Sequence, residues 1–477
     1  MTWSSYTSGD LCTAKSAATK SRADHPTLVL TTCILASSLA FVDGSVVNVG
    51  LPAIGHSLQG DAADLQWVIN AYLLPLSALL LLGGALGDRF GYRSALVLGT
   101  TLFAFGSAWC AMAASLPWLL AARGLQGVGA ALLLPNSLAI MASAFFGEAR
   151  GRAVGTWAAA SAIAGAVGPV LGGWLIDVSG WREIFLINLP LALAAIGLAL
   201  VFVKELPANA QRPPLDWLGA LLATASLGAL TWGLTAGAGP AGWSGTAWST
   251  ILVGLAVGAA FIWIEKRRGE GAMMPVALFG SHTFVGLTVM TLLLYGALGG
   301  LLVLVPYVLI QGASYSGTAA GAALLPFPLV LALTSRPMGG IAARIGPRVP
   351  LTLGSVAVAA GFLLLLGVGP NASYWSSAFL PILVIALGIS AVATPLTTAV
   401  LASVDAHHTG SASGLNSAVA RAGGLVATAL LGGVFAQSRP GLFHAFHAAA
   451  IACAAVSIVA GAVAFTLVRN GASTAAK

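Results

Sequence analysis

The sequence has very little charge. Its 477 residues include 21 Lys and Arg and 14 Asp and Glu, which together make up 7% of the chain, against about 25% in soluble globular domains. Hydrophobic residues account for 58%, and the mean hydropathy is +0.93. Because a water-exposed surface needs more polar side chains than this, the composition excludes a soluble protein and leaves no room for a sizeable soluble domain.

Cysteines and known catalytic motifs are also scarce. The four cysteines, at positions 12, 33, 110 and 453, have neither the spacing of a disulfide framework nor that of a metal site. His444 and His447 share a helix face, but no third ligand lies near them in the sequence. The sequence has no phosphate-binding loop, zinc-protease motif or nucleotide fingerprint. These absences argue against ATP-driven transport and hydrolysis, and they predict no metal and no cofactor.

What the sequence has instead is a series of long apolar runs. Gly, Pro and charged clusters divide them into fourteen predicted membrane-spanning helices, grouped as six, two and six. In chain order, we predict a cytoplasmic tail, a six-helix bundle, a linker with two additional helices, a second six-helix bundle and a short tail. Their bounds are 1–27, 28–203, 204–283, 284–470 and 471–477.

The basic residues fall on one side of this layout. If both termini are cytoplasmic, Arg182 and Arg439 lie outside, Arg123 and Arg421 lie within spans, and every other Lys and Arg is cytoplasmic. This partition agrees with the positive-inside rule. The net charge of +7 is scattered between the spans and is not gathered on one face, so it indicates topology and argues against a nucleic-acid partner.

A repeated pattern indicates that the two six-helix halves arose by duplication. The segment GALGDRFGYRSAL, which starts at Gly84, recurs in weaker form as GGIAARIGPRVPL, which starts at Gly339. The alternative is a chance match in a glycine-rich chain. Further matches in the same order pair Pro135 with Pro395, Gly172 with Gly432 and Gly173 with Gly433.

Charged groups within the spans are the first candidates for chemistry, because each costs at least about 2.5–3.5 kcal/mol in hydrocarbon. Asp43 lies deep in the first span, in FVDGSVVNVGLP, with Asn48 nearby. Burial and a neighbouring cation act on such a carboxyl group in opposite directions, so Asp43 is suited to exchange a proton for a cation. The alternative is a structural carboxylate held by a helix partner. Arg123, in the fourth span, needs an acceptor, for which Asp43, Asn48, Gln126 or helix carbonyls are available.

Two glycine-containing motifs predict moving parts. In the turn GDRFGYR, Asp88 is placed to cap or pair with another helix start, such as the one near Gly410, as a latch between halves; a plain cytoplasmic turn is the alternative. In the fifth span, GAVGPVLGG predicts a tight, bent seam that a generic packing face would also explain. The gating turn comprises Gly84, Asp88, Arg89, Gly91 and Arg93, and the seam motif comprises Gly165, Gly168, Pro169, Gly172 and Gly173.

These residues together resemble the major facilitator superfamily. The turn at Gly84, the stretch RGLQGVGAA at Arg123 and the motif GAVGPVLGG look like its signature motifs, the last being the antiporter signature of drug exporters. The segments DGSVVNVGLP, LQWVINAYLL, WREIFLINLP and GSASGLNSAVARAGG are similar to the fourteen-span drug:proton antiporters of the EmrB/QacA type. The resemblance extends from about Val29 to Leu467.

The resemblance implies an all-α polytopic membrane protein with two six-helix bundles around a central cavity, an extra helix pair between them, and alternating access. It implies that Asp43 carries protons and cations and that Arg123 is its relay partner. Arg421 matches the arginine of the thirteenth-span motif, whose role does not follow from the residues. The chain departs from the family at Glu183 and Ala422, and its tenth span lacks the carboxylate of some dication exporters, which puts dication export in doubt.

The leading functional prediction is a proton-coupled antiporter that exports hydrophobic, amphipathic or monocationic drugs across the cytoplasmic (inner) membrane. Its partners are small-molecule substrates, protons and the lipid bilayer; it works as a monomer, and the proton gradient supplies the energy. The alternatives are a dedicated exporter of one metabolite, antibiotic or lipid-like compound, and a non-transporting receptor or regulator. A membrane enzyme is disfavoured, because one buried carboxylate and one arginine offer no nucleophile and base. The candidate substrate contacts are Asp43, Asn48, Tyr72, Gln126, Asn136 and Trp157.

Overall fold

The structure is a computed structural model that describes residues 25–205, 215–239, 242–269, 272, 274, 276–370, 374–404, 409–437 and 439–468. Most of the predicted tail 1–27 and all of the predicted tail 471–477 lie outside these residues. Within the described residues, fourteen segments are long and apolar enough to cross a membrane, which confirms the predicted count. The helices are α1 (Pro26–Leu58), α2 (Ala62–Phe90), α3 (Tyr92–Ala111), α4 (Leu116–Ala144), α5 (Gly147–Ser179), α6 (Glu183–Leu186 and Asn188–Phe202), α7 (Trp217–Ala238), α8 (Gly245–Arg268), α9 (His282–Gln311), α10 (Gly317–Ala322 and Pro326–Ile345), α11 (Arg348–Leu364), α12 (Leu380–Ala402), α13 (Thr409–Ala429) and α14 (Arg439–Leu467), with a short helix, Gly432–Phe435, after α13.

Several helix boundaries follow from local chemistry. The start of α2 is a capping box, in which Asp61 accepts from the Asp64 N–H at 2.9 Å and Asp64 accepts from the Asp61 N–H at 3.0 Å. Gly91 ends α2 with a φ of +102°, and Gly346 ends α10 with a φ of +84°. Only glycine adopts these positive φ angles freely. The repeated turn motif thus has the same unusual backbone conformation in both halves.

The duplication is also visible in packing. Between α3 and α4, a Cβ added to Gly129 would lie 2.6 Å from the Gly99 carbonyl oxygen. Between α11 and α12, a Cβ on Gly388 would lie 2.7 Å from the Gly354 carbonyl oxygen. Both helix pairs therefore pack backbone against backbone through glycines at matching positions.

The helices alternate in direction, so the start of α1 and the turn at Gly91 lie at one end of the molecule, here called the termini end. The loop between α1 and α2 lies at the opposite end, here called the far end. The first half, α1–α6, and the second half, α9–α14, face each other, with α1, α2 and α4 opposite α9 and α13. The functional site lies between these helices.

The linker pair α7–α8 lies outside the two halves. α7 packs against α2, where the Trp67 and Trp232 ring centroids are 5.6 Å apart. It also contacts the short helix that follows α13, since a Cβ on Gly432 would lie 2.8 Å from the Ala238 carbonyl oxygen. Ser226 of α7 donates to the Gly254 carbonyl of α8 at 2.8 Å, and α8 is mostly exposed. α7 therefore covers the seam where α2 and α13 meet, with α8 on its outer side.

Candidate functional site

A buried ion pair joins α1 to α4 in the middle of the first half. Arg123 Nη1 donates to Asp43 Oδ2 at 2.5 Å, and the two side chains are 1% and 0% exposed. Arg123 Nε also donates to the Val68 carbonyl of α2 at 3.1 Å. Pairing offsets part of the large cost of burying each charge. The structure thus places the two predicted coupling residues in direct contact and ties both to α2.

The second oxygen of Asp43 lies in an amide network. Asp43 Oδ1 accepts from Gln126 Nε2 at 3.1 Å and from Asn188 Nδ2 at 3.3 Å. The same two amides donate to Ser107 Oγ, at 2.7 Å and 3.2 Å respectively, and Gln126 Oε1 accepts from Arg123 at 2.8 Å. Every described contact of Asp43 is a donor, so the carboxyl group acts in this network as an acceptor at both oxygens.

Aromatic rings cover the guanidinium of the pair. The Arg123 Cζ lies 4.4 Å from the centre of the Tyr72 ring and 5.8 Å from that of Phe185, distances at which a cation is attracted to the ring face. The Tyr72 hydroxyl donates to the Ala40 carbonyl of α1 at 3.2 Å. Tyr72 therefore holds α2 against α1 and forms one wall beside Arg123.

A cavity of about 190 Å³ lies between the two halves next to this pair. Arg123 lines it, whereas Asp43 lies behind Arg123 and does not. Among the described residues, no carboxylate lines the cavity, and most of the wall is apolar. An apolar cavity with a few placed polar groups is typical of sites for small organic molecules. The polar side chains on its wall are Asn48, Tyr72, Arg123, Tyr295, Arg421 and Thr428.

Arg421, on α13, is a second arginine at this cavity. No hydrogen bond or salt bridge joins it to another residue within the described part of the chain. Tyr72, whose ring centre lies 4.4 Å from Arg123 Cζ, lines the same cavity as Arg421. The cavity wall therefore carries one guanidinium that is paired with Asp43 and one that is not.

The remaining predicted substrate contacts lie elsewhere. Gln126 belongs to the Asp43 network and does not line the cavity. Asn136 donates to the Gly83 carbonyl at 3.0 Å and to its own helix, so it joins α4 to α2. Trp157 donates to Ser37 Oγ at 2.9 Å, which joins α5 to α1. Of the six predicted contacts, the structure brings Asn48 and Tyr72 to the cavity and Asp43 to its edge behind Arg123.

The glycine motif of α5 forms a tight seam with both halves. Toward α1, a Cβ on Gly168 would lie 2.1 Å from Ser45 Oγ, and one on Gly172 would lie 1.9 Å from a Val46 methyl carbon. A Cβ on Gly165, in contrast, would meet no atom within 4 Å. Only part of the predicted motif is therefore in close packing.

Toward α10, the same helix packs against the second half at the far end of the molecule. A Cβ on Gly173 would lie 2.2 Å from the Gly317 carbonyl oxygen, and one on Gly321 would lie 2.1 Å from the Pro169 carbonyl oxygen. Asp177 accepts from the Gly317 N–H at 3.0 Å and from the Thr318 N–H at 2.9 Å. This contact between halves, here called the far-end seam, places a carboxylate at the first turn of α10, where helix N–H groups need acceptors.

The gating turn is held by contacts within the first half. Tyr92 donates to Asp88 at 2.6 Å. Glu205, which follows α6, accepts from the Arg93 N–H at 3.1 Å and from the Ser94 N–H at 2.9 Å, and so caps α3. Arg89 lies over the Phe90 ring, 5.9 Å from its centre. The latch between Asp88 and the start of α13 stays a prediction.

Sequence reasoning missed three members of the site. Ser107 and Asn188 complete the Asp43 network, and Glu205 caps α3. Asn188 had a detectable signal, since it is the one amide side chain in the apolar segment that becomes α6. Ser107 had none, because serine is common in membrane helices and hydrogen-bonds to its own backbone.

Comparison with known proteins agrees with the fold. The sequence profile of the Major Facilitator Superfamily matches residues 33–428. The chain is similar to Multidrug resistance protein Stp of Mycobacterium tuberculosis, with 35% identity over 405 residues that cover 83% of this chain and 74% of that protein. It is 31% identical to the Methylenomycin A resistance protein of Bacillus subtilis, over 85% of this chain and 86% of that protein. It is also 31% identical to the Tetracenomycin C resistance and export protein of Streptomyces glaucescens, over 84% and 74%.

Solved structures share the fold at low sequence identity. The crystal structure of the peptide transporter POT in complex with sulfate superposes with a TM-score of 0.69 at 12% identity, over 96% of this chain and 99% of that one. A bacterial homologue of the lysosomal transporter Spinster superposes with a TM-score of 0.64 at 18% identity, over 94% and 98%. Together with the profile match and the relatives above 30% identity, these likenesses show that the chain belongs to the major facilitator superfamily.

Proposed function

We propose that this transporter is a proton-coupled exporter of hydrophobic and amphipathic small molecules. It lies in the cytoplasmic membrane with both termini inside and works as a monomer by alternating access. The observation that carries the proposal is the buried Asp43–Arg123 pair beside a cavity between the two halves. The names of its relatives, which refer to multidrug and antibiotic resistance, support export of toxic compounds.

The network around Asp43 supports a role in proton binding. A protonated Asp43 would carry an O–H donor among side chains that all donate to it. Asn188 Oδ1 is buried and has no hydrogen-bond partner among the described residues. Rotation of the Asn188 amide would bring this oxygen to the protonated carboxyl group. Proton uptake would thereby replace an Asn188 donor with an acceptor and weaken the hold of Asp43 on Arg123.

Loss of that hold would affect the cavity directly, because Arg123 contacts α1, α2 and α4 and lines the wall. A proton on Asp43 and a substrate that contacts Arg123 would then influence each other's affinity reciprocally. Monocationic substrates, which the sequence also suggested, would need a carboxylate within reach. Asp43 does not line the cavity in this conformation, so neutral and anionic amphiphiles fit the wall better.

The two ends of the molecule differ in a way that supports alternating access. The far-end seam is closed by glycine contacts and by Asp177. Toward the termini end of α5, a Cβ on Gly151 or Gly155 would meet nothing within 4 Å. Under the proposed orientation, α5 and α10 are closed against each other at the outside, whereas these two glycines of α5 meet no neighbour toward the cytoplasm. Export would require the far-end seam to open.

Replacement of Asp43 by asparagine tests the coupling. Inverted vesicles from a pump-deficient bacterial host, under an imposed pH gradient, report substrate-dependent proton flux. Asp43→Asn should lower this flux at least about tenfold, because loss of the proton-binding carboxyl group removes the reaction that drives transport. The amount of protein in the membrane should stay normal. The matched control is Asp64→Asn, which removes a carboxylate of the α2 cap far from the cavity.

The outcomes separate the proposal from its alternatives. Wild-type proton flux in Asp43→Asn would refute proton coupling through this residue. Substrate binding without flux in the wild type would indicate a receptor or regulator. A screen of cationic dyes, biocides, organic acids and antibiotics in the same host distinguishes a multidrug exporter from a dedicated exporter, which would protect against a single compound.

A further inference from the structure

The cavity wall has an excess of positive charge that the coupling pair does not account for. Arg123 and Arg421 both line it, and Asp43 neutralises Arg123 from behind. Within the described residues, Arg421 has no carboxylate partner and no hydrogen bond. An arginine in a membrane interior needs an acceptor from protein, water or ligand. Here the open side of Arg421 is the cavity itself.

The surroundings of Arg421 leave space for a ligand. Arg421, Gly424 and Thr428 are three and four residues apart on α13 and line the same wall, as expected for one helix face. A Cβ on Gly424 would meet nothing within 4 Å. On the facing helix α9, a Cβ on Gly299 would lie 2.9 Å from the Gly424 Cα. The two backbones therefore approach closely, and Gly424 adds no side chain to the wall that carries Arg421.

A second donor and an apolar wall line the same cavity. Tyr295 of α9 lines the cavity, and its hydroxyl group makes no hydrogen bond to any residue in the described ranges. Leu298, Leu302 and Val303 form the adjacent wall. A guanidinium and a phenol that line one cavity can both donate to an oxyanion, and the leucine and valine side chains suit an apolar body.

We propose that Arg421, assisted by Tyr295, is an anion subsite of the transport cavity that binds the carboxylate or phenolate group of an amphipathic organic acid. This assignment deepens the proposed function and rests on it, since it names the substrate class of the same cavity. Arg421 supplies the charge that holds the acidic group, and the α9 wall holds the apolar part. Asp43 and Arg123 take no part in this contact.

A pair of probes with the same shape and different charge tests the subsite. The probes are 1-naphthylacetate and 1-naphthylacetamide, and their affinities are measured by calorimetry at neutral pH with the full-length protein in phosphatidylcholine nanodiscs. The wild type should bind the acid about tenfold more tightly than the amide, since a charge-assisted hydrogen bond replaces a neutral one. Equal affinities in the wild type would overturn the proposal without any variant.

Substitutions then assign the preference to Arg421. Arg421→Gln should make the two affinities equal, and Arg421→Lys should keep most of the preference because the charge remains. The control is Arg267→Gln, which removes one positive charge from α8, where Arg267 lies over the Trp263 ring; it should behave like the wild type. If Arg421→Gln keeps the preference for the acid, the subsite assignment is wrong.

A second variant protects the test against misfolding of Arg421→Gln. Gly424→Val fills open space beside Arg421 without touching any charge, so it should weaken both probes to a similar extent. If Gly424→Val weakens the binding of neither probe, the ligand does not bind at this wall.

Addition of phosphatidylglycerol to the nanodiscs distinguishes the source of the oxyanion. If this lipid displaces naphthylacetate from the wild type, the anion subsite stands and a lipid phosphate also occupies it.

Failure of this inference and failure of the proposed function give different results. Asp43→Asn should retain the preference for the acid, because Asp43 does not contact the subsite. A wild type that prefers the acid and shows no proton flux would refute the coupling alone. Proton-coupled export with no preference for the acid would refute the subsite alone.

Discussion

Comparison of equivalent positions in the two halves shows what is special about Arg123. In the first half, a Cβ on Gly106 would contact Gln126 and the Ala122 carbonyl; in the second, a Cβ on Gly361 would contact Ile385 and the Pro381 carbonyl. The position that matches Arg123 is then Ile382, which is fully buried. The fold thus accepts isoleucine where the first half carries its arginine, so the buried charges are not required for packing.

This equivalence predicts the stability of single and double variants. Arg123→Ile leaves Asp43 buried without its cation and should lower the free energy of unfolding by about 3–5 kcal/mol. The double variant Asp43→Val with Arg123→Ile should recover most of that loss, since no unpaired charge remains. Thermal unfolding in detergent, followed by tryptophan fluorescence, provides the comparison. A double variant as unstable as Arg123→Ile would show that the pair itself holds the helices together.

Asn188 provides a second prediction at the residue scale. Asn188→Leu removes a donor to Asp43 and the unpartnered oxygen that would accept its proton, so proton-coupled flux should fall about tenfold while the protein stays folded. The control is Asn70→Leu, since Asn70 is fully buried on α2 and neither atom of its amide has a described partner. Flux in vesicles is the measurement, and equal flux in the two variants would exclude a special role for Asn188.

Charged residues within the spans are easier to single out from a sequence than amide residues. Asp43 and Arg123 could be found because ionisable groups within apolar spans are rare and need partners. Asn136 and Trp157 have the same chemical character as Asn48 and Tyr72, but they face helix contacts and not the cavity. Which side of a buried helix faces the cavity depends on how the helix rotates in the bundle, and an apolar sequence that is buried on several sides carries no such signal.

At the scale of helices, the α5 motif shows that a glycine in the sequence does not by itself indicate a close contact between helices. Five residues of this motif were predicted as one seam, but only some of its glycines meet a backbone. Gly173 faces the Gly317 carbonyl of α10, and Gly165 faces open space. Spacing in the sequence could not distinguish these glycines, because the distance between α5 and α10 is set by the whole bundle.

Alanine substitutions turn this difference into a prediction. Gly173→Ala would place a Cβ 2.2 Å from a backbone oxygen, so the far-end seam could not close as it does here, and transport should fall at least about tenfold. Gly165→Ala should leave transport unchanged, because its Cβ meets nothing within 4 Å. Efflux assays on both variants at matched expression make the comparison, and normal transport by Gly173→Ala would mean that the closed seam is not part of the cycle.

At the scale of the whole molecule, fourteen spans and their grouping could be predicted because hydropathy reflects the lipid environment directly. The fold class followed from motifs and from the internal repeat, and the profile match confirms it. The contact of α7 with both halves could not be predicted, since nothing in an apolar helix specifies its neighbour. Membrane helices associate through shape and small residues, and not through a hydrophobic driving force.

Orientation gives a prediction for the whole chain. With both termini inside, alkaline phosphatase fused to the C-terminus should be inactive and a green fluorescent protein fused there should be fluorescent. The same two reporters fused after Ala313, between α9 and α10 at the far end, should behave in the opposite way. An active C-terminal phosphatase would reverse the proposed topology and, with it, the direction assigned to the closed far end.

The position of α7 makes the two lipid-facing flanks of the transporter different. α7 packs along the seam between α2 and α13, and among the described helices none packs across the corresponding seam between α5 and α10. The junction between the two halves is therefore covered by a third helix on one flank and bordered by lipid on the other. When the halves rock to open the far-end seam, the lipid-facing surface would change chiefly on the α5–α10 flank, so neighbours in a crowded membrane that press on this flank would slow export without touching the site.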